Sequence, residues 1–222
     1  MTALLRYHCA LLLRSQRLIA PLLCYAAVLA IGIRAGEPVL DSLGWTAAAL
    51  VPVAAWTARI CVSGEPAAAR ACGAAAAGPR RVQLACLLTA LLTSCLLGAL
   101  ATGFVSMIGE AAADDHRTPV GRLPAALAGL CAVLVCALVG TAVGALTSWP
   151  LVRSTGRAVT ALTGAVVLAL VLAGSPARTA ITAMVTGSQR GSVPAPVVPL
   201  LLALLLTGAA AATTCWASAR RG

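Results

Sequence analysis

Residues able to carry acid–base or metal chemistry are few in this sequence. Asp114, Asp115 and His116 form a run with two carboxylates and an imidazole. Adjacent side chains point in different directions, so three residues in a row rarely converge on one metal ion. The sequence also lacks a P-loop, a GxSxG motif and an HExxH motif. We interpret the run as a solvated loop and predict that the chain is not an enzyme and binds no cofactor itself.

A segment between the second and third apolar runs carries helix start and stop signals. A carboxylate favours the positive end of a helix dipole, and a proline in the first turn needs no N–H partner. Alanines propagate a helix, and Gly followed by Pro ends it. The pattern predicts a short helix of about three turns, with a plain linker as the alternative. The charged residues and prolines that define this segment are Glu65, Pro66, Arg70, Pro79, Arg80 and Arg81.

The composition requires a lipid environment. The chain has 222 residues, of which 60% are hydrophobic and 10% charged, and its mean hydropathy is +0.96. A soluble domain averages about 25% charged residues, so these charges are too few to cover a surface that faces water. The net charge is +10, but the arginines lie between apolar runs rather than on one soluble face. We therefore expect one all-α integral membrane domain over residues 1–222 and no binding of nucleic acid.

Charged residues and prolines divide the chain into six candidate transmembrane helices. A bilayer core requires about 20 apolar residues per helix, and flanking arginines extend shorter stretches by reaching the interface. The predicted spans are residues 18–33, 43–58, 82–108, 125–149, 158–174 and 197–217.

The distribution of charge predicts the orientation of these spans. With the N-terminus inside, eleven of the 16 arginines fall in inner segments, as the positive-inside rule expects. Both termini are then cytoplasmic. The many alanines and the absence of Lys and Asn favour a high-GC bacterial genome, so we expect a multi-pass protein of the bacterial inner membrane. The five arginines in outer segments are Arg34, Arg117, Arg122, Arg178 and Arg190.

Two segments outside the spans have readable patterns. In residues 1–16, arginines and leucines fall on opposite sides of a helical wheel, which predicts a helix lying in the cytoplasmic interface. His8 falls on the apolar side of this helix, and a simple extension of the first span is the alternative. Residues 175–196 are rich in Gly, Ser, Thr and Pro. For them, a re-entrant element and a surface loop both remain open.

The spans carry interaction features rather than reactive groups. Gly140 and Gly144 form a GxxxG stripe, which lets helix backbones approach closely. The stripe is expected to pack within the chain or, alternatively, in a dimer contact. No charged residue lies near the middle of a predicted span, whereas ion-coupled transporters usually need one. A transporter of this kind would take its energy from a partner such as an ATPase.

The order of these parts resembles the membrane subunits of ABC-2-type exporters, particularly the small permeases of actinobacteria. The matching stretches are residues 11–17, which enter the first span, and residues 65–88. Glu65 stands at the family's acidic start of a coupling segment, and Pro79-Arg80-Arg81 at its turn into the third span. The resemblance implies a homodimer or paired permeases bound to two copies of a separate ATPase subunit, which holds ATP and Mg²⁺. The 65–81 segment would dock in that ATPase.

The resulting expectation is a permease subunit that forms the substrate pathway of an ATP-driven exporter in contact with membrane lipid. The alternative is a membrane scaffold or accessory protein without transport activity. An intramembrane enzyme is disfavoured because the spans lack nucleophiles and acid–base groups.

Overall fold

The computed structural model describes residues 1–34, 36–110, 112, 114, 118–149, 151 and 154–221, without the side chains of residues 67, 155 and 221. Over these ranges the chain is all-helical and forms no strand, which confirms the predicted helical class. The helices are α1 (Thr2–Arg14), α2 (Ile19–Gly32), α3 (Val39–Ser63), α4 (Ala67–Ala77), α5 (Pro79–Ile108), α6 (Arg122–Leu146), α7 (Thr155–Val171), α8 (Pro176–Arg190) and α9 (Val197–Arg221).

Between four and six membrane spans are compatible with the lengths and composition of these helices. Four helices are each long and apolar enough to cross a bilayer alone, namely α3, α5, α6 and α9. The pairs α1–α2 and α7–α8 meet the same requirement together, with bends of 72° and 42°. The chain is thus a multi-pass membrane protein, with six spans if each bent pair crosses once.

The α3 helix forms the centre of the bundle. It packs against α2, α5, α6 and α8, and Leu40, Leu43, Leu50 and Val51 on it are fully buried. The α9 helix is different because most of its leucines are exposed, as expected for a peripheral helix that faces lipid.

The GxxxG stripe of α6 lies against α3 of the same chain. A Cβ atom added to Gly140 would lie 2.6 Å from the carbonyl oxygen of Val51. A Cβ atom added to Gly144 would lie closer still to the carbonyl oxygen of Ala55. The two backbones approach this closely only because neither glycine carries a side chain. The stripe is therefore occupied by packing within the chain, the first of the two expected arrangements.

Several helices extend beyond the charged residues that marked the ends of the predicted spans, whereas α2 stays between Arg17 and Arg34. The predicted span 43–58 lies within α3, which runs past both Asp41 and Arg59. Backbone hydrogen bonding continues at these positions because charged side chains reach the interface from within a helix. The α6 helix begins at Arg122 rather than residue 125, since Pro124 is tolerated in a first turn.

Residues 175–196 contain a helix rather than an irregular loop. The α8 helix buries Ala177, Ala180 and Met184 against the bundle, where it packs on α3 and α6. Gly44 of α3 admits this contact, because its added Cβ would already lie 3.4 Å from the Cβ of Met184. Gly191, with φ of 63°, ends the helix in the left-handed conformation. Polar threonines on its other face make the segment read as a loop, so the sequence alone did not predict this helix.

Candidate functional site

The two ends of the bundle differ in charge. Chain ends and connections gather at one of them, where Tyr7 of α1 contacts Glu65 and Cys215 of α9 contacts the carbonyl group of Arg80. We call this the basic end, and it carries Arg6, Arg14, Arg17, Arg59, Arg70, Arg80, Arg81, Arg157 and Arg220. The opposite, acidic end carries Glu37, Asp41, Glu110 and Asp114, together with Arg34, Arg122, Arg178 and Arg190.

Backbone hydrogen bonds join the connections at the acidic end. The amide of Glu110 donates to the carbonyl oxygen of Glu37 at 3.0 Å, and the amide of Asp114 donates to that of Ser188 at 3.2 Å. Asp115 and His116 of the acidic run lie outside the described residues. Among those described, no three His, Cys, Asp or Glu side chains are placed to hold a metal ion. The nine cysteines are free.

At the basic end, the predicted short helix is present as α4. Pro66 precedes it with extended backbone geometry, and the amide of Arg70 donates to the carbonyl oxygen of Pro66 at 3.0 Å. Gly78 has φ of 88°, a conformation that favours glycine, and it separates α4 from α5. Pro79 then occupies the first position of α5, where it loses no hydrogen bond. The chain reverses between two membrane-length helices through this ordered turn.

Glu65 connects α1 to the segment before α4 through a hydrogen bond, and its side chain does not cap α4. Its side chain is only 6% exposed, and its Oε1 accepts a hydrogen bond from the Tyr7 hydroxyl at 3.1 Å. The sequence had suggested a role at the positive end of the helix dipole, and Glu65 does directly precede the N-cap residue Pro66, although no side-chain hydrogen bond caps α4. The structure adds Tyr7, which no local motif had indicated.

Arg70 holds α4 against the end of α6. Its Nη2 donates to the carbonyl oxygen of Glu65 at 3.1 Å, and its guanidinium lies 4.6 Å from the ring centroid of Trp149. A cation over an indole face contributes roughly 0.5–2 kcal/mol, depending on its exposure to water. Arg70 therefore links three segments, whereas Arg80 and Arg81 are exposed at the start of α5.

The outer face of α4 carries small apolar side chains that none of the described residues covers. The exposed residues recur at helical spacing and are Ala68, Ala71, Cys72, Ala75 and Ala76. The opposite side, with Gly73 and Ala74, faces α5, and the Cβ of Gly73 would lie 3.6 Å from Val82. A rigid helix with an exposed stripe of small apolar residues is suited to docking in a protein groove.

A cleft of about 240 Å³ lies between α4, α5, α9 and Trp149, which comes shortly after the end of α6. Its lining is mostly apolar and consists of Arg70, Ala71, Ala74, Pro79, Val82, Gln83, Trp149 and Ser218. Gln83 is only 5% exposed, and its Nε2 has no hydrogen-bond partner among the described residues. The Nε of Arg70 also has none. Sequence reasoning missed Gln83 because a lone glutamine in an apolar run has no motif.

His8 is buried on the side of α1 that packs against the bundle. It is 4% exposed, and its ring nitrogens lie 3.7 and 3.8 Å from Sγ of Cys86 on α5. The apolar side of α1 thus packs on the bundle, which explains a histidine on that side. Burial lowers the pKa of His8, and the nearby carboxylate of Glu65 offsets part of this effect. The docked imidazole is therefore held neutral at neutral pH.

Acid is expected to weaken the docking of α1. When α1 leaves the bundle, His8 is exposed to water and has an ordinary pKa of about 6.5, so it binds a proton more readily than when α1 is docked. Docking is therefore favoured above about pH 6.5 and is lost as the pH falls toward the lower pKa that His8 has in the docked state. Hydrogen exchange of residues 2–14 at pH 7.0 and 5.5 tests this, with a His8→Leu variant as the reference at each pH. Equal changes in the two proteins would contradict the role of His8.

The structure thus brings Glu65, Arg70 and Pro79 together, leaves Arg80 and Arg81 exposed beside them, and adds Tyr7, Gln83 and Trp149. Gly140 and Gly144 lie away from this site, in the α3–α6 seam. No protein-family model, no curated protein and no solved structure matches the chain.

Proposed function

We propose that the chain is the permease subunit of an ATP-driven exporter of the ABC-2 type, in which α4 passes motion from a separate ATPase subunit to the membrane helices. In this proposal the basic end faces the cytoplasm of a bacterium and the protein spans the inner membrane six times. Two permease chains, identical or paired, form the substrate pathway, and ATP and Mg²⁺ are held by the ATPase.

The observation that carries this proposal is the set of contacts that hold α4 against the rest of the chain. Its inner side is fixed through Arg70, which contacts Glu65 before α4 and Trp149 after α6. Its outer side exposes the small apolar stripe. A helix that directly follows α3 in the chain and packs on α5 passes motion to them when a partner moves it. A simple linker needs neither the anchoring arginine nor an unpartnered face.

The need for a separate energy source supports the same function. The sequence contains no P-loop to bind ATP. The middle parts of α3, α5, α6 and α9 contain no Asp, Glu, His or Arg, the residue types that usually bind or relay a coupling ion. In this proposal, the work for transport is delivered from outside the membrane helices, and α4 receives it.

An Ala75→Arg variant is expected to lose its ATPase partner. Ala75 lies on the exposed stripe of α4, so the bulky cation obstructs docking without disturbing the packed side, and arginine is a good helix former. The measurement is co-purification of a tagged chain from native membranes in mild detergent, with identification of any P-loop ATPase that co-elutes. At least a tenfold loss of that ATPase is expected, equivalent to about 1.4 kcal/mol of binding.

The matched control is Ala10→Arg, the same substitution on an exposed face of α1 at the same end of the bundle. It should retain the ATPase, because α1 is not the docking element. A chain that elutes without any ATPase across several detergents would instead favour the scaffold. Equal retention of the ATPase by both variants would show that α4 is not part of the interface.

A further inference from the structure

The cleft beside Trp149 contains two unpaired hydrogen-bond donors. They are Nε of Arg70 and Nε2 of Gln83, and neither has a partner among the described residues. A buried donor without an acceptor is costly, so such groups in folded proteins usually bond to a ligand or an ordered water. Both residues line one cleft, and a ligand whose acceptor oxygens reach the two nitrogens would satisfy both.

The charge around this cleft selects an anion. Arg70 is part of its wall, and Arg80 follows Pro79 of the lining. Arg220, two residues after Ser218, lies over Trp216 instead. Among the described residues, no acidic side chain lines the cleft. The nearest carboxylate in sequence, that of Glu65, accepts the Tyr7 hydroxyl of α1 instead. A phosphate group would thus meet cations without a competing negative charge.

Two of these helices, α5 and α9, also line a cleft farther into the membrane. A second, narrower cleft of about 70 Å³ begins at Leu84, directly after Gln83, and lies between α5, α6 and α9. Its lining is almost entirely apolar and includes Leu87, Leu88 and Leu91 of α5. Leu88 is exposed to the lipid side of the bundle. A molecule with an anionic head and an apolar chain would match the order of these two clefts along α5.

We propose that this crevice binds an anionic phospholipid of the leaflet at the basic end. The phosphate oxygens accept hydrogen bonds from Arg70 and Gln83 in the larger cleft, while Trp149 flanks the headgroup. One acyl chain follows the apolar groove between α5 and α9. Basic pockets between membrane helices on the cytoplasmic side commonly bind such headgroups. The inference goes beyond the proposed transport function and does not depend on it.

A protein carboxylate is a poorer occupant of this crevice. The apolar cleft that follows along α5 suits an acyl chain and does not suit a charged peptide segment. The volume of about 240 Å³ also lies below the usual range for drug-sized ligands of about 300–1,000 Å³. It suits a headgroup, with the remainder of the lipid lying along the bundle surface.

A Gln83→Leu variant tests the site with the chain alone in detergent. The purified protein is mixed with phosphatidylglycerol or with zwitterionic phosphatidylcholine, and the retained lipid is measured by native mass spectrometry. The wild type should retain one phosphatidylglycerol in preference to phosphatidylcholine. The variant should retain about tenfold less, the effect of losing a hydrogen bond to a charged group. Its thermal stability without lipid should be unchanged or higher, because a buried unpaired amide has been removed.

Gln189→Leu is the matched control, since it makes the same substitution on an exposed position of α8 at the acidic end. It should retain phosphatidylglycerol as the wild type does. Equal retention of both lipids by the wild type, or full retention by Gln83→Leu, would overturn the proposal. Displacement of the lipid by soluble glycerol phosphate at equal concentration would assign the cleft to a free anion and also overturn it. Since no ATPase is present, failure here leaves the transport proposal standing.

Discussion

An Arg70→Glu variant is expected to abolish ATPase-driven transport while the helix bundle remains folded. The guanidinium of Arg70 donates to the carbonyl oxygen of Glu65 and lies over the ring of Trp149. A glutamate makes neither interaction, because its carboxylate repels both the carbonyl oxygen and the negative face of the indole. The bundle core formed by α3 and α6 does not involve Arg70, so the loss is confined to the mounting of α4.

The size of this effect follows from the two interactions that are removed. A hydrogen bond from a charged donor and a partly exposed cation–π contact together contribute about 2–4 kcal/mol. Their loss lowers the docked population of α4 by roughly thirtyfold or more. The measurement is substrate-stimulated ATP hydrolysis by the complex of permease and ATPase in proteoliposomes, with thermal unfolding of the permease recorded in parallel.

Arg220→Glu provides a control with the same change of charge. Arg220 lies 3.9 Å from the ring centroid of Trp216, so it also loses a cation–π contact at the basic end. Both of these residues belong to α9, and neither takes part in the link between Arg70 and Trp149. Coupling should survive in this variant. Similar losses in both variants would point to a general effect of charge at this end and would refute a specific role for Arg70.

A Gly144→Ala variant is expected to destabilise the fold. The added Cβ would overlap the carbonyl oxygen of Ala55 and approach the Cβ of Ala58 within 2.7 Å. A backbone oxygen cannot rotate away as a side chain can, so α6 and α3 must separate along the seam that also contains Gly140. Overpacking of this kind costs about 1–3 kcal/mol. The free energy of unfolding in mixed micelles measures it directly.

Gly103→Ala on α5 is the companion variant, since nothing lies within 4 Å of its added Cβ. Alanine favours a helix over glycine by about 0.5–1 kcal/mol, so this variant should be as stable as the wild type or more so. Gly144→Ala should bind lipid and ATPase normally where it remains folded. A variant of Gly144 with undiminished stability would show that the helix contact is not tight.

Arg70 belongs to both proposed sites, and this connects lipid binding with coupling. It fixes α4 through Glu65 and Trp149, and it also lines the cleft that contains Gln83. Arg70→Glu is therefore expected to impair both properties. Gln83→Leu separates them, because Gln83 takes no part in the mounting of α4 and its loss should reduce lipid retention alone.

The amino-acid sequence by itself determined the membrane class, the helical content and the short helix between the second and third apolar runs. These features follow from local properties. Apolar length, alanine content and the Gly78-Pro79 stop signal act through neighbouring residues. The approximate position of each long helix was also predictable, although charged residues proved poor markers of helix ends because a helix continues while its side chains reach the interface.

Only the tertiary structure decided which side chains meet. Tyr7 and Glu65 are separated by 58 residues, and the Arg70–Trp149 contact joins segments that no local pattern relates. The helix within residues 175–196 is likewise fixed by burial of its small face against α3 and α6 rather than by its own propensity. The same holds for the GxxxG stripe, since small residues show that a close contact is possible, while the fold determines that its partner is α3.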